Sequence, residues 1–290
     1  MAPTNWARSD LESRVFSILF EENADDNQRL DDSDVFIALE LAEQAFARDT
    51  RCYRRTATLL AVDEQALYVQ PEDMFHVQDV VWDDETTPLK EYKEGRMRRN
   101  DSSFRSYDAG SPTYWIRETP MTFRLSQAGE VDDDDTVDIT LYGYIVPLSI
   151  GGSISTIARS AADVVTVTTA AAHNLRVGDS VTVSGCTTDG LNNAYTVASV
   201  TSSVIFTASD EGDTENDSDG YVYYTDGKLP MLADADVPSI PLFYRPALAY
   251  YAAWWLADNH LVPSEVARAA GMAAYLRYER MVARFCEEGA

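Results

Sequence analysis

Acidic side chains dominate the groups that could do chemistry in this chain, with 48 Asp and Glu against 23 Lys and Arg. Two runs stand out: VDDDDTVD, starting at Val131, and SDEGDTENDSDG, ending at Gly220. In the second, Glu215, Asp217, Asp219, Gly220 and Asp226 fall at positions one, three, five, six and twelve of an EF-hand-like count. The match fails at both ends. Glu opens it instead of Asp, Asp closes it instead of Glu, and strand-like YVYY stands where a helix should begin. In the first run, four adjacent aspartates along an extended chain point in different directions, which is poor geometry for one chelate. Asp132 to Asp135 therefore read as a solvated connection between the strand-like runs TPMTFRLSQ and DITLYGY.

Other reactive groups are scattered. His76, His173 and His260 lie in unrelated segments with no metal-binding spacing among them. Cys52, Cys186 and Cys286 form no C-x-x-C pair, so a reducing compartment is expected. Cys186 follows His173 by thirteen residues within a turn-rich region, without a nucleophile elbow. No phosphate-cradling glycine loop occurs. Carboxylates are too numerous for spacing to single out the paired acids of a hydrolase. The reading is a protein with no catalytic residue, no metal and no cofactor, and not an enzyme.

Binding is the better prospect, and two stretches could carry it. LKEYKEGRMRRND, starting at Leu89, sets Lys90, Lys93, Arg96, Arg98 and Arg99 in an acidic chain, and reads as a short helix or turn. It is either a solvated face or a contact for an acidic neighbour, such as another copy. FYRPALAYYAAWW, starting at Phe243, spreads Phe243, Tyr244, Tyr250, Tyr251, Trp254 and Trp255 around most of one helix. That is more apolar girth than a one-sided core contact needs, so part of it is expected to face another subunit. The candidate interface residues are Arg96, Arg98, Arg99, Phe243, Tyr244, Tyr250, Trp254 and Trp255.

The elements that must position these groups follow from periodicity. Leu11, Val15, Ile18 and Leu19 make one helical stripe, and Val35, Leu39, Ala42 and Phe46 a second. From Thr50 to Pro147 the chain turns β-branched and aromatic, and reads as strands. A Thr, Val and Ser-rich segment, 152–224, predicts a small all-β module with strands at Val164–Thr168, Ser180–Val183, Tyr195–Val200 and Val204–Thr207. A last helix is expected from about Ser264 to Phe285, with Val266, Ala270, Ala273, Leu276 and Phe285 on one side. The fold class is α+β. N- and C-terminal helices are packed with a β-sheet region in one discontinuous domain, 1–151 and 225–290, and an inserted sandwich or barrel occupies 152–224.

A chain of 290 residues, 45% hydrophobic, can bury a substantial core. Its formal charge of −25 argues against adhesion to DNA, since an acidic surface repels phosphate. An acidic wall past which DNA slides is compatible with it. The longest apolar run, 241–257, is short of the roughly 20 residues that span a bilayer and contains Arg245, so no membrane segment is expected. The N-terminus shows no apolar run after a basic start, and synthesis in a cytoplasm is expected.

The order of the helical pair, then ALYVQPEDMFHVQDVVWDDETTPLKEY, SPTYWIRETPMTFRLSQ, VDITLYGYIVP and LADADVPSIPLFYRPALAYYAAWWL, resembles the head-to-tail adaptor (connector, tail tubular protein A-like) proteins of short-tailed phages. The resemblance implies a ring of about twelve copies in the virion, between the portal protein and the tail nozzle protein, through which DNA passes without specific binding. The segment 152–224 resembles the immunoglobulin-like or barrel-like modules of phage structural proteins. Its expected place is outside the ring, within reach of tail fibres or capsid. The alternative is a phage adhesin that meets a host receptor through the β module.

Overall fold

The computed structural model describes residues 6–19, 30, 32–83, 85–93, 95, 110–127, 137–149, 152–173, 175–225, 227–228, 231, 236–259 and 265–289. Arg96, Arg98, Arg99, Asp132 to Asp135 and Asp226 lie outside the described residues. The chain is α+β, as expected, and divides into two compact units: 1–53 with 228–290, and 54–227. The helices gather in the first unit and the strands in the second.

In the first unit, α1 (Arg8–Leu19) and α2 (Asp32–Thr50) bury Leu11, Val15, Phe16 and Leu19, and Val35, Leu39, Ala42 and Phe46. Asp32 and Asp34 in the first turn of α2 complement its unpaired N–H groups. A short 3₁₀ turn, Leu242–Tyr244, leads into α3 (Pro246–Asp258), where Pro246 occupies the first turn without losing a hydrogen bond. Long α4 (Glu265–Gly289) completes the unit. α3 packs against α1, α2 and α4. Its buried positions are small or aliphatic: Ala247, Leu248, Ala249, Ala252, Ala253, Leu256 and Ala257. The rings of Tyr250, Tyr251, Trp254 and Trp255 are therefore half-buried on its flanks.

α4 corrects one expectation. Its inward residues are Ala267, Gly271, Ala274 and Tyr278, while Val266, Ala273 and Leu276 are exposed. The expected stripe followed side-chain bulk, whereas the contact with α3 demands small residues. A Cβ at Gly271 would sit 2.4 Å from Ala257 Cβ and 2.7 Å from the Ala253 carbonyl oxygen. Only glycine lets the helices come this close.

The second unit holds three sheets. β1 (Arg54–Leu60), β3 (Met74–Trp82) and β7 (Asp138–Ile145) form an antiparallel sheet with β7 at its centre. Here Gly143 of β7 leaves room for Met74 and the His76 carbonyl of bulged β3. A four-stranded sheet has the order β2–β6–β5–β4, from β2 (Leu67–Val69), β6 (Thr122–Leu125), β5 (Tyr114–Thr119) and β4 (Lys90–Tyr92). Lys90–Tyr92, expected in a helix or turn, is a strand because it pairs in parallel with Tyr114–Ile116.

The third sheet runs β13–β8–β9–β12–β11–β10–β14. Its strands are β8 (Ile154–Arg159), β9 (Val164–Thr169), β10 (Ser180–Ser184), β11 (Ala194–Ser202), β12 (Ile205–Ser209), β13 (Glu215–Asp217) and β14 (Tyr221–Tyr224). The four strands expected here are present, with small shifts at their ends. The seven strands belong to one sheet, which curls until Ser153 bridges Tyr221. Alternation along β9, β10, β12 and β14 turns Val165, Val167, Val181, Val183, Phe206 and Val222 into one buried cluster.

Gly271→Ala separates packing from helix propensity. Propensity alone predicts a gain of about 1 kcal/mol. The clash with Ala257 predicts a net loss of about 1–3 kcal/mol, read as a lowered urea midpoint with an unchanged slope. A rise in the midpoint would mean that the helices do not touch at this position.

Candidate functional site

Charged groups inside the second unit hold its parts together. Along β1 the inward positions are Arg55, Ala57 and Leu59, so a guanidinium enters the interior and needs a partner there. Asp73, in the turn before β3, supplies it: an Arg55 N–H donates to Asp73 Oδ1 at 3.1 Å, with both side chains buried. The guanidinium also lies over the Tyr224 ring, 4.1 Å from its centroid, tying β1 to β14 of the curled sheet. Burial pushes the Asp73 carboxyl up to about 6, although Arg55 pulls the other way. Asp179, close to the same group, is also raised by burial.

The acids of the EF-hand-like count have local duties. Glu215–Asp217 is strand, paired with β8, and Tyr221–Tyr224 is strand where a helix would be needed. Asp217 accepts from the backbone N–H groups of Thr188 and Ser218, at 2.7 Å each, which holds its carboxyl down at about 2. Asp219 accepts from the Thr187 N–H at 3.0 Å and the Thr187 hydroxyl at 2.8 Å. Both carboxylates thus clamp the loop after β10. Cys186, Asp217 and Asp219 are close enough for their ligand atoms to meet on one ion, but the carboxylate oxygens already take these hydrogen bonds. The Cys186 thiol donates to the Asp219 carbonyl, and burial, with Asp217 and Asp219 adding to it, pushes the thiol up to about 11. That state is the reverse of an activated nucleophile. His173 is fully buried, accepts from the Leu175 N–H at Nδ1, and packs edge-on against Phe206. Beneath the acidic loop, buried Arg159 pairs with Asp210 at 2.7 Å and faces Glu215 at 3.6 Å.

The predicted aromatic residues separate. Tyr244 is buried, its ring against Phe285 and its hydroxyl bonded to Glu288. Phe243 is 58% exposed, with Arg284 over its ring. Trp254 belongs to a cluster with Tyr251, Tyr275 and Tyr278, 4.4 Å from Tyr275 by ring centroids. Tyr275 and Tyr278 come from α4 and were not among the sequence candidates; their Y-x-x-Y spacing on one helical face was the available signal. Trp255 is half-buried. Tyr250 sits between two cations, with Arg14 of α1 at 5.9 Å and Arg277 of α4 at 5.6 Å from its ring centre. Burial raises its phenol, but the two guanidiniums outweigh burial and bring it below its ordinary value. Lys90 lies over Tyr92, and Lys93 is exposed.

Apolar side chains also stand at the surface in groups: Val266, Met272 and Leu276 on α4, and Val62, Leu67, Val69 and Met121 around the β1–β2 turn and the β5–β6 turn. Among the described residues no helix is long and apolar enough to cross a membrane. A chain whose buried charges fasten joints and loops, and whose outer faces keep grouped aliphatic side chains, is built like a structural protein that works by contact. Comparison supports that class: residues 8–175 match the SU10 adaptor protein family. The match takes in more than half of the chain, and the protein belongs to that family; it is a phage structural adaptor, associated with the virion and in contact with other virion components. The matched region reaches past 151 into β8 and β9. No match is found among curated proteins.

Arg55→Met tests the buried pair. Without the pull of Arg55 the Asp73 carboxyl rises further, so the buried charge is felt at about pH 8, where the variant should cost about 3 kcal/mol. Because the folded-state carboxyl is raised, folding binds a proton as pH falls through about 6, so the loss should shrink by about pH 5. Urea unfolding at both pH values measures this. An equal loss at both would assign the role of Arg55 to packing on Tyr224 alone.

Proposed function

We propose that this adaptor is a non-enzymatic head-to-tail connector, forming a ring of about twelve copies between portal and tail nozzle around the DNA channel. The match to an adaptor family over residues 8–175 carries the reading. Charge supports it: twelve chains at −25 each would bring on the order of −300 charges to the ring before counterions, and acidic lumen walls let DNA slide without adhering. The local use of Asp217, Asp219 and Asp73 as clamps fits a scaffold better than a reaction centre.

In this reading 152–224 is an inserted β module, barrel-like rather than immunoglobulin-like because its seven strands lie in one curled sheet. It carries nine acids against Arg159 and Arg176, and its place is outside the ring, toward tail fibres or capsid.

Mass photometry with negative-stain electron microscopy, with and without portal protein, tests the proposal. A closed ring of about twelve copies, alone or on portal, is the expected result. A stable monomer or trimer that binds host cells and never engages portal would instead support an adhesin.

A further inference from the structure

Between Val266 and Leu276 the outward face of α4 is apolar where a solvated helix should be polar, with Glu265 before the stripe and Arg280 beyond it. Val266, Ala269, Met272, Ala273 and Leu276 fall along one side, opposite the buried residues Ala267, Gly271, Ala274 and Tyr278 at 100° per residue. Val266 is 69% and Leu276 56% exposed. Beside this stripe a groove of about 330 Å³ runs between α1 and α4, floored by Ile18, Ala270 and Ala274 and edged by Arg14 and Arg277. Among the described residues neither arginine pairs with a carboxylate; both turn to Tyr250. In a chain of −25, this is an apolar surface with a positive border.

The second unit carries the counterpart. Leu67 and Val69 project outward from β2, with Met121 beside them and Val62 held in place by the Tyr68 hydroxyl, which accepts from the Val62 N–H at 3.1 Å. Exposed Asp63 and Glu64 occupy the turn at the margin of this patch. Arg124, across from Leu67, is already paired with Glu118, and Arg176 shares a cleft with Val69 and Met121, so the negative margin is the side that carries Asp63 and Glu64. The two patches lie on different units and differ in sequence, so a contact between them is heterologous, the kind that builds a closed ring or an open filament instead of a two-fold dimer.

We infer that the α4 face of one copy seats on the β1–β2 corner of a second copy, with Arg14 and Arg277 of the first meeting Asp63 and Glu64 of the second. The matching surface is on the chain itself, so a further copy is the occupant that satisfies both apolar area and charge. This rests on the ring reading above and names its contact.

Single-face variants of the full chain test it. Leu276→Asp spoils one patch and Val69→Asp the other, both at exposed positions, with circular dichroism checking that each folds. Each variant alone should be monomeric by mass photometry at low salt. An equimolar mixture should give a dimer and nothing larger, because each chain retains one working face. Arg277→Glu should weaken assembly roughly tenfold or more, and Arg277→Glu combined with Glu64→Arg should restore it. Wild-type rings with variants that assemble as well as wild type would overturn the contact and leave the ring standing. So would a mixture that stays monomeric. A wild type that is monomeric throughout, with portal present or absent, would overturn the ring reading and the contact together.

Discussion

The close approach of α3 and α4 is the constraint from which the helical unit follows. With no side chain at Gly271, α4 lies directly on Ala253 and Ala257, and small residues of both helices meet where they cross. Large side chains cannot occupy that seam. The rings of Tyr251, Trp254 and Tyr275 lie beside it, packed edge-on or tilted, and buried Tyr278 joins them and reaches Asp49 of α2 at 2.6 Å. The long aliphatic residues of α4, Val266, Met272 and Leu276, are displaced to its outer face. An exposed apolar stripe is thus the geometric counterpart of a seam made of alanine and glycine. It is also the surface through which the proposed ring contact is made.

Electrostatics in this chain work at two distances. At short range the acids are specific fasteners: Asp73 on Arg55, Asp217 and Asp219 on the loop after β10, Asp210 on Arg159. Glu43 is buried in the first unit with its carboxyl pushed up to about 7 by burial, while the N–H groups of Met231 and Ser239 pull the other way. At long range the surplus of acids repels DNA and other acidic surfaces. Arg14 and Arg277, which pair with no carboxylate among the described residues and turn to Tyr250, therefore mark a place where an acidic neighbour is welcome.

Much of the fold could be read from pattern. Alternation of apolar and polar residues marked the strands of the curled sheet, because each has one dry face, and spacings of three and four marked α1 and α2. Three features escaped for physical reasons. Lys90–Tyr92 is a strand only because Tyr114–Ile116 lies beside it, a pairing that local sequence does not encode. The inward face of α4 is not marked by hydrophobic bulk, because close helix contact selects Ala and Gly there. Arg55 was legible in part: a cation at an inward position of β1 demands an acid, but the distance in sequence to Asp73 hides which one. The rings of the aromatic helix sort into an intramolecular cluster around Trp254, a buried Tyr244 and an exposed Phe243. Tyr250, held between Arg14 and Arg277, lies beside the proposed contact.

Hydroxyl-radical footprinting of assembled rings against chains dispersed by high salt bears most directly on this account, since oxidation reports side-chain exposure residue by residue. Met272 and Leu276 on α4, together with Leu67, Val69 and Met121 at the β1–β2 corner, should lose reactivity on assembly while Val177, exposed in the curled sheet, keeps it. Rings in which those five residues react as they do in the dispersed chain, with protection elsewhere, would contradict it.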